Sequence, residues 1–354
     1  MERKRRVAII GGGITGLAAA VKLEKANLDY EILEASHRLG GKIKTERIKN
    51  FVIETGPDSF LARKESMSRL AHDVGLGDEL IANDTGQAFI LKGERLHPIP
   101  AGAVMGIPTE LLSFAASELC SPLGKLRVLG DLLLPKMVEK DEDISIGHFF
   151  RRRLGDEAVD HLIEPLLSGI YSGDIDRLSL KATFPQFQQV EEAHGSLIRG
   201  MKQKHSKQAD SASKPKAKFL TFRRGLQSFI DALEGQIPPE KIRLQTVSKT
   251  IEKTPSGFRI YFQDGTNADY EQVIVATPPN VTGRLLASYP AFRYLAEMET
   301  STVATIALAF SKEAVRHPYE GTGFVVSKKG PYTITACTWT DKKWHIRLLK
   351  GIHC

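Results

Sequence analysis

The chain has 354 residues, a length that suits about two or three domains rather than one. Hydrophobic residues make up 42% and charged residues 26%, as in an ordinary soluble globular protein, so the core needs no disulfide or metal staple. The net charge of +7 favours anionic partners: a carboxylated substrate, a membrane surface or nucleic acid.

The first elements form a β-α-β unit. Residues 7–10 are a short β-branched run and predict a buried strand. A glycine-rich turn follows at 11–16, and apolar residues then recur at helical spacing over 17–25. Residues 30–33 predict a second strand. This order predicts a parallel sheet and an α/β fold class, with α+β insertions further along.

The rest of the chain alternates between helical and strand patterns. Helical periodicity predicts helices over 110–119, 124–134, 146–154 and 156–167. Residues 199–224 are rich in Lys, Arg, Ser and Gln and predict a flexible basic linker. Asp264-Gly265 predicts a hairpin turn. Strands are expected at 242–244, 258–262 and 270–276, and a second, antiparallel sheet at 302–310, 323–326 and 333–338.

Three cysteines, Cys120, Cys337 and Cys354, stand far apart and match no metal or disulfide spacing. We therefore predict no metal site and a reducing, cytoplasmic location. No stretch reaches the roughly 18 apolar residues that span a bilayer. Peripheral membrane contact stays open. The basic linker lacks interleaved aromatic residues, so we expect no nucleic-acid binding.

The turn after the first strand carries the pattern G-x-G-x-x-G. It reads Gly11, Gly12, Gly13, Ile14, Thr15, Gly16. The first glycine permits a tight turn, the second lets the backbone approach a pyrophosphate, and the third allows close packing of helix on sheet. Glu34 follows the second strand, about 20 residues on, where a carboxylate would bind a ribose. The pattern predicts a dinucleotide site.

A second loop distinguishes FAD from NAD. Ala35, Arg38, the pair Gly40-Gly41, Lys42 and Thr45 follow Glu34. Gly40 and Gly41 allow the backbone to pass close to a dinucleotide, and Arg38 or Lys42 can neutralise phosphates. In this run the sequence resembles the superfamily of FAD-dependent amine oxidases and protoporphyrinogen oxidases. An NAD dehydrogenase does not need such a loop.

Further motifs narrow the resemblance. They lie at residues 56–60 (GPDSF), 96–100 (LHPIP), 105–108 (MGIP), 164–174 (EPLLSGIYSGD) and 184–185 (FP). With these motifs the chain is similar to the bacterial oxygen-dependent protoporphyrinogen and coproporphyrinogen oxidases, from about residue 5 to Trp344. The coproporphyrinogen form is favoured by an overall likeness to enzymes of Gram-positive bacteria.

The resemblance implies oxidation of a porphyrinogen to the porphyrin in heme biosynthesis. FAD would take the electrons in pairs, and dioxygen would reoxidise it with release of hydrogen peroxide. It implies no catalytic base that we can name. Contact with later heme-pathway enzymes is a further implication. Arg63 and Lys64 are candidates for the substrate carboxylates. At the cofactor the resemblance places Gly11, Gly12, Gly13, Ile14, Thr15, Gly16, Glu34, Ala35, Arg38, Gly41, Lys42, Gly56, Pro57, Asp58, Ser59 and Val247.

The resemblance also predicts a domain plan. A discontinuous FAD-binding domain would comprise 1–90 and 217–285, a helical insertion 105–210, and the strands of a substrate domain 91–104 and 286–344. Residues 345–354 look unrelated to the family. The glycine-rich segment that ends the family's FAD domain is not found after Gly323, so we expect a truncated or frameshifted copy with weak or no FAD retention and little oxidase activity.

Three functions stay open at this point. The first is a porphyrinogen oxidase. The second, within the same superfamily, is an amine oxidase or a carotenoid desaturase. The third is an incomplete fragment without catalysis.

Overall fold

The structure is a computed structural model that describes residues 6–49, 51–83, 87–136, 143–171, 173–210, 219–311, 314–315, 319–327, 329–344 and 352–353. The chain divides into two compact units, and the main stretches of the first are Met1–Asn83 and Ala217–Ala309. The main stretches of the second unit are Asp84–Lys216 and Phe310–His345. The assignment of functions to parts of the chain stays a prediction.

Strands and helices alternate along much of the chain. The strands are β1 (Arg6–Ile10), β2 (Asp29–Leu33), β3 (Thr45–Ile48), β4 (Phe51–Glu54), β5 (Phe60–Leu61), β6 (Leu80–Ala82), β7 (Ala88–Lys92), β8 (Arg95–Pro98), β9 (Ala103–Val104), β10 (Ile107–Pro108), β11 (Phe219–Phe222), β12 (Ile242–Arg243), β13 (Ser248–Thr254), β14 (Gly257–Phe262), β15 (Asn267–Tyr270), β16 (Gln272–Val275), β17 (Phe310–Ser311), β18 (Gly323–Val326), β19 (Ala336–Thr338) and β20 (Ile352–His353). The α-helices are α1 (Ile14–Lys25), α2 (Glu65–Asp73), α3 (Leu111–Ala116), α4 (Pro122–Leu129), α5 (Ile146–Leu154), α6 (Asp156–Ala158), α7 (Glu164–Tyr171), α8 (Leu180–Thr183), α9 (Pro185–His194), α10 (Leu197–Asp210), α11 (Gln227–Glu234), α12 (Pro279–Leu285) and α13 (Thr340–Lys343).

The first unit is built on a four-stranded parallel sheet with the order β12-β2-β1-β16. Successive residues of β1 enter different cores: Ile9 packs with α1 and α11, whereas Ile10 packs with residues of β13 and β14. Both faces of the sheet are therefore covered, which explains why β1 is almost continuously apolar. The predicted β-α-β unit, with β1, α1 and β2, is confirmed.

An antiparallel sheet packs on the face of the parallel sheet that carries Ile10. Strands β13, β14 and β15 form a three-stranded sheet, and the turn between β14 and β15 contains Gly265 at φ +88°. A left-handed conformation of this kind suits glycine, as the Asp264-Gly265 prediction required. Two smaller sheets complete the unit: the hairpin β3-β4 and the three strands β5-β11-β6.

The second unit is mainly helical around one apolar core, which includes Phe149, Phe150 and Phe187. Its largest sheet has the order β19-β18-β7-β8. Two of the pairings are antiparallel, but β18 and β7 are parallel, so the sheet is mixed rather than wholly antiparallel. A π-helical turn, Val159–Ile163, joins α6 to α7. Gly106 of the MGIP motif lies against it, because a Cβ there would come within 2.9 Å of Ile163.

Two predicted elements are wrong. Residues 302–310 were expected to form a strand, but only Phe310 is in one, and Ile306 is 78% exposed. A strand needs a neighbour for its N–H and C=O groups, and within the described residues none pairs along 301–309. Residues 199–210 of the expected linker belong instead to helix α10, whose Leu197 and Ile198 enter the core. Residues 211–218 of that linker lie outside the described residues, and residues 219–222, also expected to be linker, form strand β11.

A buried ion network ties several helices of the second unit together. The side chain of Arg153 is fully buried, and its Nε lies 2.6 Å from Asp131 Oδ1. Its Nη1 lies 3.2 Å from Glu191 Oε1. Asp131 Oδ2 accepts hydrogen bonds from Ser196 Oγ at 2.6 Å and from the Ile198 N–H at 3.0 Å. Removing one member would leave a buried charge without its partner.

We expect Asp131→Ala to destabilise the second unit by about 3 kcal/mol or more, because Arg153 would keep its buried charge and lose its closest carboxylate. Urea unfolding followed by circular dichroism measures this. Asp156→Ala is the matched control, since Asp156 is 79% exposed and pairs with Arg151 at 3.2 Å. Its effect should stay below about 1 kcal/mol. Equal effects of the two substitutions would contradict a stabilising role for the buried network.

Candidate dinucleotide site

The candidate site lies in the first unit, at the carboxyl ends of its parallel strands. Gly11 follows β1, Glu34 follows β2, and Ala276 follows β16. Residues 244–247 continue from β12 past the end of β2, where the Thr246 N–H donates to Glu34 O at 2.8 Å. In open parallel sheets, ligands bind at this edge.

The first glycine loop needs its glycines for steric reasons. A Cβ on Gly16 would lie 1.9 Å from Gly11 O, and a Cβ on Gly11 would lie 2.7 Å from Ala276 O. Gly13 differs, because a Cβ there would meet only Gly41 Cα, at 4.0 Å. Gly13 is also the N-cap of α1, and no side chain caps that end. The first N–H groups of the helix therefore have no side-chain cap from the described residues, and an anion can accept hydrogen bonds from them.

Glu34 holds the first loop to the segment that follows β2. One carboxylate oxygen accepts from the Gly12 N–H at 2.6 Å, and the other accepts from the Ser36 N–H at 2.8 Å. A carboxylate has about four lone-pair positions, so two remain for hydroxyl donors. Ala35 is exposed beside it.

The second glycine loop contacts the first through the backbone. The Gly40 N–H donates to Gly12 O at 2.8 Å, and Gly13 and Gly40 form a parallel bridge. A Cβ on Gly41 would lie 3.1 Å from Gly13 Cα. Gly40 and Gly41 have φ values of +103° and +58°, which an L-residue adopts only with strain. The structure thus brings the two predicted loops together.

The two cations of the second loop have different surroundings. Arg38 donates to three backbone carbonyl groups of its own loop, those of Leu39, Gly41 and Ile43. Lys42 is exposed, and within the described residues its amino group has no hydrogen bond or ion pair. The sequence alone did not show which of these two side chains is available to phosphates.

Residues 56–59 lie beside the second loop. A Cβ on Gly56 would come within 2.0 Å of Lys42 O, so only glycine allows this approach. Pro57 is exposed. Ser59 Oγ donates to Asp58 Oδ1 at 2.7 Å, and Thr221 Oγ1 of β11 donates to Asp58 O at 2.9 Å. These bonds fix the segment against β11.

Val247 lies after β12, in the segment that bonds to the chain after β2. Its carbonyl oxygen accepts from the Gln263 N–H at 2.9 Å, and Gln245 donates to Ser36 O at 2.9 Å. The Val247 N–H has no partner within the described part of the chain. A cavity of about 280 Å³ adjoins it and is lined by residues 245–247 and 262–264.

Arg63 and Lys64 stand apart from these loops. Both are exposed, in the turn between β5 and α2, and Lys64 is the N-cap residue of α2. No side-chain hydrogen bond or ion pair of either is present within the described residues. Their assignment to substrate carboxylates stays a prediction.

Sequence reasoning named Thr45 but missed the contacts through which Thr45 and Glu54 anchor the chain after the second loop. Glu54 Oε1 accepts from the Leu226 N–H at 2.8 Å, and Thr45 Oγ1 accepts from the Gln227 N–H at 2.9 Å. The hairpin β3-β4 thereby caps α11, whose own N-cap residue offers no side-chain bond. The partners are far apart in sequence, so no local pattern signals this contact.

Other chemistry finds little support in the described residues. They contain no cluster of His, Cys, Asp or Glu suited to a metal ion. Burial raises the pKa of the Cys120 thiol to about 11, so this thiol is a poor nucleophile near neutral pH. Every helix in the described ranges is too short or too polar to cross a bilayer.

Comparison with known proteins agrees with this geometry. The family described as flavin containing amine oxidoreductase matches residues 14–348, which extends beyond Trp344, where we expected the resemblance to end. A coproporphyrinogen III oxidase of Staphylococcus aureus is 45% identical, and the match covers 98% of this chain and 76% of that protein. The coproporphyrinogen III oxidase of Bacillus subtilis is 46% identical, with coverage of 97% and 74%. A crystal structure from Exiguobacterium sp. 255-15, provisionally named a protoporphyrinogen oxidase, has a TM-score of 0.82 at 38% identity and covers 99% of this chain and 76% of its own.

We expect Gly16→Ala to destabilise the first unit by about 3 kcal/mol, because the added methyl group would overlap the Gly11 carbonyl. Thermal or urea unfolding measures the loss. Gly235→Ala is the control: Gly235 has φ −62°, and a Cβ there meets its nearest atom, Asp231 O, at 3.4 Å. This control should change stability by less than about 1 kcal/mol. A Gly16→Ala protein as stable as the control would show that the loop can move Gly11 O away from residue 16 without loss of stability.

Proposed function

Because this chain belongs to the flavin containing amine oxidoreductases, we propose that it binds FAD and oxidises a porphyrinogen, coproporphyrinogen III or protoporphyrinogen IX, to the porphyrin in heme biosynthesis. The observation that carries the proposal is the pair of glycine loops in backbone contact, in a chain 45% identical to a coproporphyrinogen III oxidase. A flavin cofactor follows from the family. FAD in particular is part of the proposal.

The residues of the site fit a dinucleotide. Gly13 has open space where a side chain would otherwise project, and the uncapped N-terminus of α1 offers N–H groups to a pyrophosphate. Glu34 keeps two acceptor positions for ribose hydroxyls. A 2′-phosphate at that place would be repelled by the carboxylate, which favours the unphosphorylated ribose of FAD.

The two glycine loops, residues 11–16 and 38–43, are called the cradle below, and each residue in or beside it has a proposed task. The first turn of α1, with Ile14 and Thr15, would present backbone donors to the phosphates, and the exposed amino group of Lys42 would add a positive charge. The Val247 N–H, which has no partner within the described ranges, would donate to a ring nitrogen of adenine, and Ala35 would flank that ring. Residues Gly56 to Ser59, held by Lys42 and Thr221, would adjoin the flavin.

When bound, the flavin would supply two-electron redox chemistry, by which the porphyrinogen would lose six electrons and six protons and three dioxygen molecules would be reduced to three of hydrogen peroxide. The chain's own residues bind and orient the cofactor. Arg63 and Lys64, exposed and without partners in the described residues, would attract the carboxylates of the substrate. The proposal keeps a cytoplasmic location and dioxygen as acceptor.

A second candidate is amine oxidation, because the family's description names amines. Porphyrin fluorescence distinguishes the two, since amine products yield none. The third interpretation, a fragment without catalysis, is distinguished by the same assay.

The experiment adds FAD to the purified chain, removes free flavin by gel filtration and records the visible spectrum. Chemically reduced coproporphyrinogen III and protoporphyrinogen IX are then supplied in turn under air, and porphyrin fluorescence and peroxide are measured. The sequence resemblance led us to expect weak or no FAD retention, but the two glycine loops in backbone contact favour binding. We therefore expect bound flavin and about one peroxide for each electron pair removed. Bound flavin without porphyrin formation, together with oxidation of an amine, would favour the second candidate. Absence of bound flavin would contradict the proposal.

We expect Gly13→Ala to leave stability unchanged within about 0.5 kcal/mol but to weaken FAD binding at least about tenfold. The added methyl group meets no protein atom closer than 4.0 Å, so it occupies only the space assigned to the phosphates. Thermal unfolding without flavin and a fluorescence titration with FAD measure the two quantities. Unchanged FAD affinity would show that the phosphates of FAD do not lie beside Gly13.

A further inference from the structure

We propose that Arg38 is a positioning residue of the second glycine loop, residues 38–43, and that its ligand is the loop's own backbone rather than the phosphates. This inference rests on the proposed FAD function, because it concerns how the cradle for FAD is held ready.

The guanidinium group of Arg38 binds three carbonyl oxygens. Nη1 donates to Leu39 O at 3.0 Å and to Ile43 O at 3.0 Å, and Nη2 donates to Gly41 O at 2.8 Å. Both N–H groups of Nη1 and one of Nη2 are therefore used within the loop. Such charge-assisted bonds are stronger than bonds between neutral groups.

The backbone conformation explains why the loop needs a cation. Gly40 and Gly41 both have positive φ, and the turn aims the carbonyl groups of residues 39, 41 and 43 at one place. The negative ends of these dipoles repel one another unless a positive group lies among them. The planar fork of arginine can donate to all three, whereas the single ammonium group of lysine is a point charge.

The position of the loop matters for the site. With Arg38 in place, Gly40 donates to Gly12 O at 2.8 Å and Gly41 lies against Gly13. Ser36 Oγ adds a bond to Arg38 O at 2.7 Å, and Ser36 N–H in turn binds Glu34. Arg38 therefore acts on the first glycine loop through backbone contacts.

Lys42 provides a matched comparison from the same loop. Its side chain is exposed and has no partner within the described ranges, so its charge is available to phosphates. Arg38 and Lys42 carry the same charge but, on this proposal, do different work.

The experiment compares Arg38→Gln, Arg38→Lys and Lys42→Gln in the 354-residue chain. Amide hydrogen exchange of residues 39–43 is measured without flavin, and FAD affinity is measured by fluorescence titration at low and high salt. We expect the amides of this loop to exchange at least about tenfold faster in both Arg38 variants than in wild type. Both variants should also bind FAD at least about tenfold more weakly. In Arg38→Lys, the salt dependence of FAD affinity should equal that of wild type. Lys42→Gln should keep wild-type exchange and show a weaker salt dependence of FAD affinity.

Two results would overturn the proposal. One is wild-type exchange in the Arg38 variants. The other is wild-type FAD affinity in Arg38→Lys, which would show that only the charge matters. If the wild-type chain binds no FAD, the proposed function fails, but the exchange measurement without flavin still decides the role of Arg38.

Discussion

Two glycine loops of the first unit touch through their backbones, and the rest of the candidate site depends on this contact. The Gly40 N–H donates to Gly12 O, and Gly41 approaches Gly13 so closely that a Cβ on Gly41 would lie 3.1 Å from Gly13 Cα. Because both segments are main chain, the distance between them is set by sterics and hydrogen bonds rather than by flexible side chains. At this separation of the two loops, a Cβ on Gly13 would have Gly41 Cα as its nearest atom, at 4.0 Å, so space remains beside Gly13.

The surrounding structure holds these loops from several directions. The parallel sheet delivers the first loop at the end of β1, and the hairpin β3-β4 fixes the chain after the second loop by capping α11 with Thr45 and Glu54. Glu34 connects the first loop to the end of β2. Most of these bonds involve backbone groups, so the cradle is set before any ligand binds, which lowers the ordering cost of binding.

Local patterns predicted the part of the site that is local in sequence. The glycine spacing and Glu34 were sufficient to expect a dinucleotide site, because both belong to one β-α-β unit. The capping of α11 joins residues about 180 positions apart and has no local pattern. The sequence also did not predict that Arg38 and Lys42 have different hydrogen-bond partners, because both are basic residues in the same loop. Residues 302–310 show the reverse case: their strand propensity is high, but a strand forms only with a neighbour.

On our proposal the two glycine loops together bind FAD. The most direct measurement is amide hydrogen exchange of the wild-type chain with and without saturating FAD. We predict that added protection concentrates in residues 11–16 and 39–43, and near Val247. Saturating FAD that protects neither glycine loop would contradict it.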